Sequence, residues 1–375
     1  MTAALENQPD RRMHARTIAL CFVLNALNGA DFLSISYAAP LILEQWRVSA
    51  QTFSLVFSLG LLGMTLGSLV LAPLADVVGR KILILIAIVL IASSMAATSL
   101  ATDVNAIMGP RFVVGLGVGA MLASMTSLAS EHASEQYRSL AVMVTTAGYP
   151  IGATAAAFAA NAALPAYGWP ALFVIMSVIS AVMFPICLGG LPESAAFVRA
   201  GEEGGARGKG IRRAAARSAA RLKSAMTVSR VPIRELLSFE RRRATLLLWA
   251  AFMSALVTLY VLVSWIPTMA VDAGLRIEHA IYASAAYHLG SLVGRTALGW
   301  LSARYSATRL ITVCFALAAL LMPLFGAAHQ PAALFLAGIF AIGVFAQGAF
   351  GGLYAVAAQA YPTACRATGA RASWR

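Results

Sequence analysis

Ten runs of mainly apolar residues, each long enough to cross a bilayer as a helix, dominate this chain of 375 residues: 17–42, 51–75, 82–101, 105–130, 139–163, 169–191, 244–268, 278–303, 307–327 and 331–358. A spanning helix needs about 20 such residues. Hydrocarbon offers the backbone no water, so only helices and closed barrels cross it. Runs of this length predict an all-α membrane bundle. Composition agrees, with 60% hydrophobic and 11% charged residues, against about 25% charged in soluble chains. So few charges cannot cover a water-facing surface, which excludes a soluble enzyme, and so much apolar residue excludes disorder.

The first run follows a polar stretch containing Arg11, Arg12 and Arg16. It is too long for a signal-peptide core and has no convincing cleavage site, so it reads as a retained span. Of the 28 lysines and arginines, 24 fall on one side of the zigzag of runs and 2, Arg47 and Arg276, on the other. Basic residues mark the cytoplasmic side. Both termini are therefore expected in the cytoplasm and the chain in the inner (plasma) membrane. The same rule accounts for the net charge of +13 without a nucleic-acid partner.

The expected organisation is a cytoplasmic N-terminus (1–16), a six-helix half (17–191), a central loop (192–243), a four-helix half (244–358) and a cytoplasmic tail (359–375). The loop carries 13 basic and 5 acidic residues, which suits either a helix on anionic lipid or a solvated linker. Gly67, Ala72, Asp76 and Gly79 recur, shifted by 227 residues, as Gly294, Gly299, Ala303 and Ser306. Both sets close a run and open a basic turn. Carriers are commonly built from such repeats, with the binding site at the repeat interface.

An ionisable group in hydrocarbon calls for a reason. Asp31 lies about 21 Å along a helix from the cytoplasmic side, and Arg111, in a run of opposite direction, lies about 9 Å from its outer end. In a core of about 30 Å the two share one depth. They suggest a pair, either a structural salt bridge or a site where Asp31 loads and releases a proton. Asn25, Asn28 and Asp31 recur every third residue and occupy one arc of a helix, facing a cavity rather than lipid. Glycines spaced by four, at Gly63 and Gly67, Gly115 and Gly119, Gly148 and Gly152, and Gly290 and Gly294, permit close helix contact.

Tyr260 and Trp265 lie in the seventh run, Tyr282, Tyr287 and His288 in the eighth, and Phe345, Gln347, Phe350 and Tyr354 in the tenth. Such faces suit an aromatic or amphipathic ligand, and equally suit packing or an interfacial belt. His288 is either a titrating group or a fixed hydrogen-bond partner. Arg295 either neutralises a carboxylate or braces the cytoplasmic end of its helix. The four cysteines, Cys21, Cys187, Cys314 and Cys365, show neither a disulfide framework nor metal-ligand spacing.

Several motifs resemble the major facilitator superfamily. Ala72-Pro73-Leu74-Ala75-Asp76-Val77-Val78-Gly79-Arg80-Lys81 resembles its signature turn between spans two and three, with Ala72 in place of a glycine and Val77 in place of a basic residue. The run from Arg111 to Gly119 resembles its fourth-span motif, and Gly148-Tyr149-Pro150-Ile151-Gly152 its fifth-span motif. Within the superfamily the chain resembles the aromatic acid/proton symporters. Their span-one motif reads here Asn28-Gly29-Ala30-Asp31, followed by Pro40, with Asn28 where the group has a first acid. Leu191-Pro192-Glu193-Ser194, Tyr361-Pro362-Thr363 and Arg366-Ala367-Thr368-Gly369 also fit.

The resemblance implies a proton-coupled carrier that imports a small organic anion, such as the aromatic carboxylate hydroxybenzoate, by alternating access. Asp31 and Arg111 would couple protons. Asn28, Tyr260, Trp265, Tyr287, His288, Gln347 and Tyr354 would meet the substrate. Asp76, Gly79, Arg80, Lys81, Glu131 and Arg138 would form a cytoplasmic gate. No cofactor or metal is implied, and no enzymatic activity; the partners are the anion, protons and lipid, with the chain a monomer. The superfamily normally has twelve spans, so an end after ten reads as a truncation. An exporter, a carrier of another metabolite, or a truncated protein without transport are the alternatives.

Overall fold

The computed structural model describes residues 8–194, 197, 242–302, 304–325 and 331–360. The described residues of the ten apolar runs fall on helices, apart from a residue or two at run ends. The chain divides into two compact units, Met1–Ser218 and Ala219–Arg375. The first holds α1 (Gln8–Trp46), α2 (Ala50–Leu66), α3 (Arg80–Ser99), α4 (Val104–Glu131), α5 (Arg138–Tyr167) and α6 (Trp169–Gly190). The second holds α7 (Arg242–Asp272), α8 (Ile277–Leu301), α9 (Ala307–Phe325), α10 (Ala332–Ile342) and α11 (Gly348–Ala360). The last two are one rod joined through a π-helical turn, Gly343–Gln347. Most of the central loop and all of the tail from 361 onward lie outside the described residues.

Local chemistry sets the boundaries. Ser49 caps α2 by accepting from the Thr52 amide at 3.2 Å. Asp103 caps α4 through the Ala106 amide at 2.7 Å. Such caps satisfy amide groups that a helix start leaves unpaired. Gly168 takes φ +75°, a conformation glycine tolerates, and separates α5 from α6.

Among the described residues, eight helical stretches are long and apolar enough to cross a membrane. The expectation of ten spans is reduced there by α8 and α9. The first has 25 residues, but Tyr282, Tyr287, His288, Ser291 and Arg295 dilute its apolar character. The apolar part of α9, Ala307–Pro323, is short.

In the first unit α1 lies along α5 and α2 along α4. Glycine makes the second crossing possible. A Cβ on Gly63 would strike the carbonyl of Phe112, one on Gly67 that of Leu116, and one on Gly115 that of Gly60. The second unit repeats the arrangement between α8 and α10. There Gly290 faces Phe340, Gly294 faces Val344, and Gly343 faces Tyr287, each backbone to backbone. The 227-residue repeat is thus a repeated helix crossing, in which small residues replace side-chain packing by backbone contact.

A Gly115→Ala substitution is expected to destabilise the protein by about 1–3 kcal/mol, because the new methyl group has no room. Gly109, also in α4, has open space where a methyl group would stand, with nothing within 4 Å, so Gly109→Ala is expected to be neutral or slightly stabilising. Thermal unfolding of both variants in detergent checks this.

Candidate functional site

The polar residues in the middle of α1 are sealed from solvent. Asn25 and Asp31 are fully buried and Asn28 nearly so. Arg111, from α4, is 2% exposed. The depth argument placed Arg111 near Asp31, and the two are neighbours, but they do not form the direct ion pair that depth alone suggests. The guanidinium donates through Nη1 to the Asp31 backbone carbonyl at 3.4 Å. Its Nη2 points to Met95 Sδ at 2.9 Å, and its plane lies 5.2 Å from the centre of the Phe173 ring. The Asp31 carboxylate instead accepts from the Ser180 hydroxyl of α6 at 2.9 Å. Asp31 Oδ1 and Arg111 Nε have no partner among the described residues.

This is a buried acid with one neutral donor, next to a cation held by a carbonyl, a sulfur and an aromatic face. Reasoning from sequence missed Ser180. The available signal was a serine in the middle of a 22-residue helix of mean hydropathy high enough to span a bilayer.

A second cluster sits where α2 turns into α3. Gly79 takes φ +97° and leaves room for the Glu193 carboxylate, which a Cβ there would meet. Glu193 Oε1 accepts from the amides of Arg80 at 2.8 Å, Lys81 at 3.2 Å and Ser194 at 2.9 Å. A side chain 113 positions away therefore caps the start of α3, where free amides and the helix dipole favour a negative charge. Arg80 pairs with Glu131, and the Ser194 hydroxyl donates to the other Glu131 oxygen at 2.7 Å. Of the residues expected here, Gly79, Arg80, Lys81 and Glu131 come together. Arg138, at the start of α5, is exposed. Asp76, in the turn before α3, has a helical backbone, but its side chain lies outside the described residues, as does that of Tyr354 in α11.

In the second unit a relay that runs from an exposed arginine to a buried tyrosine joins α8 to the π turn. Arg295 Nη2 donates to Gln347 Oε1 at 2.8 Å, and Gln347 Nε2 donates to the Tyr287 hydroxyl oxygen at 3.0 Å. A guanidinium can only donate, so the amide oxygen must face it and the amide nitrogen must face Tyr287. The tyrosine oxygen is then an acceptor from Gln347, and its own proton remains to be donated. His288 lies edge-on to Tyr287, with ring centres 5.6 Å apart. Tyr260 and Trp265 are half-buried on α7. Among the described residues no group of three His, Cys, Asp or Glu side chains is placed to hold a metal.

Residues 21–373 match the Major Facilitator Superfamily. The 4-hydroxybenzoate transporter PcaK of Pseudomonas putida is 30% identical over 380 residues, covering 99% of this chain and 84% of the relative. The 3-(3-hydroxy-phenyl)propionate transporter of Escherichia coli K12 is 31% identical, covering 94% of this chain and 81% of the relative. The gallate transporter of Pseudomonas putida is 29% identical, covering 99% and 83%. Among solved structures, a bacterial homolog of the human lysosomal transporter Spinster, inward-facing and occupied, aligns with TM-score 0.70 at 18% identity over 98% of this chain and 78% of its own. The D-xylose-proton symporter aligns with TM-score 0.67 at 15% identity, covering 96% and 88%. The chain belongs to the Major Facilitator Superfamily. It is a multi-pass membrane carrier and not an enzyme.

Removing the long-range cap tests the second cluster. Glu193→Ala is expected to cost about 1–2 kcal/mol, the range for losing a helix cap, and Glu193→Gln less, because an amide oxygen still accepts. Thermal unfolding of the two variants, compared with the parent, measures the difference.

Proposed function

We propose, with membership of that superfamily as premise, that this chain imports a small aromatic carboxylate such as 4-hydroxybenzoate together with protons. The relatives' named substrates share a carboxylate and an aromatic ring bearing hydroxyl groups. The observation that carries proton coupling is the Asp31 carboxylate, fully buried, accepting a hydrogen bond from Ser180 and with Arg111 beside it. A buried carboxylate without an ion-pair partner is most easily accommodated neutral. Proton release would accompany movement of the Arg111 guanidinium onto the carboxylate, which stabilises the charged form.

The six-helix half (17–191) would carry the proton site and the four-helix part (244–358) much of the ring recognition. Asn28, Tyr260, Trp265, Tyr287, His288, Gln347 and Tyr354 are the proposed substrate residues. The free Tyr287 proton suits a carboxylate or phenolic oxygen, and the neighbouring rings suit the aromatic body. Asp76, Gly79, Arg80, Lys81, Glu131 and Arg138 are the proposed gate, with Glu193 and Ser194 completing it. Breaking and remaking its ion pair would accompany alternating access. The proposed setting is the inner membrane with both termini cytoplasmic, the basic central loop near anionic lipid, and the chain a monomer.

Cells expressing the chain are expected to take up labelled 4-hydroxybenzoate, with uptake abolished by a protonophore. Asp31→Asn is expected to abolish proton-driven accumulation while leaving the amount of inserted protein unchanged; retained accumulation excludes the role. Tyr287→Phe removes one hydrogen bond to a charged group and is expected to raise the KM for uptake about tenfold. Its check is an uptake titration at matched expression.

A further inference from the structure

We propose that water threaded between α1 and α5, bridging Asn28, Asn25 and Thr145, carries the proton between Asp31 and Asn25, toward the N-terminal end of α1. The inference rests on the proton-coupled reading and adds a route to it. Its basis is a set of buried polar atoms for which the described residues offer no partner: Asn25 Oδ1, both Asn28 amide atoms, Asp31 Oδ1 and Thr145 Oγ1. Their four residues are each at most 1% exposed. Buried polar atoms are rarely left unpaired in proteins, and ordered water is the usual partner when no side chain serves.

The orientation of these groups is fixed by their neighbours. Asn25 Nδ2 donates to the backbone carbonyls of Thr145 at 2.8 Å and Thr146 at 3.4 Å. Carbonyls only accept, so the amide nitrogen must be the atom facing them. Asn25 Oδ1 is thereby the atom left without a partner among the described residues, and it needs a donor. Thr145 is equally informative. Thr17, Thr98, Thr146 and Thr154 each return their hydroxyl to the carbonyl four residues earlier. The Thr145 hydroxyl does not, although it is fully buried. Thr145 itself lies against Asn25 through its backbone carbonyl, and in the proposed file a bridging water receives the hydroxyl proton.

Spacing permits the file. Residues three apart on a helix have side-chain origins about 5–6 Å apart, which one water spans with two hydrogen bonds of about 2.8 Å. Asn25, Asn28 and Asp31 sit at that interval on one arc, and the file covers about 9 Å of helix. Among the described residues these side chains make no direct hydrogen bond to one another through Asn25 Oδ1, the Asn28 amide or Asp31 Oδ1. In transfer, the Asp31 carboxyl gives its proton to the first water, which passes a different proton onward. Asp31 is left as carboxylate and the waters unchanged.

The test uses wild-type protein and the variants Thr145→Val, Thr145→Ser and Asn25→Leu, reconstituted at matched amounts in proteoliposomes with labelled 4-hydroxybenzoate. Counterflow at equal pH exchanges substrate without net proton movement. Accumulation driven by a pH gradient requires it. Thr145→Val removes the hydroxyl and keeps the backbone carbonyl that Asn25 uses. It is expected to slow gradient-driven accumulation about tenfold, the effect of losing one hydrogen-bonded link, with counterflow preserved. Asn25→Leu should behave likewise, and Thr145→Ser should restore accumulation. Accumulation unchanged in both Thr145→Val and Asn25→Leu overturns the route, as does equal loss of both transport modes. Wild type without counterflow overturns the functional reading itself, and the route with it. Should the variants fail to insert, a wild-type cryo-electron microscopy map showing other internal waters decides. Water density between Asn25 and Asn28 supports the route, and its absence overturns it.

Discussion

Removing a carboxylate and a guanidinium from water costs several kcal/mol for each ion, and Asp31 and Arg111 lie side by side under that constraint. The two do not meet charge to charge. Arg111 is distributed over a carbonyl, a thioether and an aromatic ring, and Asp31 leans on a serine hydroxyl. The proposed proton coupling rests on this lack of compensation, because pairing with the guanidinium would favour the charged carboxylate. Four helices of the first unit supply it: α1 the acid, α3 Met95, α4 the arginine, and α6 Ser180 and Phe173.

The site depends on helices held at fixed separation, and the glycine crossings supply this. Where Gly63 and Gly67 meet α4, backbones touch with no side chain between them, which fixes the rod that carries Arg111. The second unit repeats the crossing and uses it for another purpose. Its π turn places Gln347 against both Arg295 and Tyr287. The extra residue of a π turn re-aims a side chain that an unbroken α-helix would direct elsewhere.

Length and apolarity made the helices legible, because hydrocarbon leaves the backbone few alternatives. Depth counting also brought Asp31 next to Arg111, since both lie on rods of known rise. It could not tell which atoms would touch. Ser180 and Met95 reach the site from helices whose lateral order no spacing rule fixes, and the guanidinium chose a carbonyl over the carboxylate. Glu193 was visible only as part of a family-like string. Its use as a cap for α3 depends on the chain returning after more than a hundred residues to a turn opened by Gly79.

Proton coupling to aromatic-acid entry is most directly tested by watching the proton. Lightly buffered proteoliposomes holding the protein are given 4-hydroxybenzoate outside, with no imposed pH gradient, and external pH is followed. The account predicts alkalinisation as protons enter with substrate, and none with Asp31→Asn protein. Substrate entry into wild-type vesicles without a pH change, or with acidification outside, would contradict it.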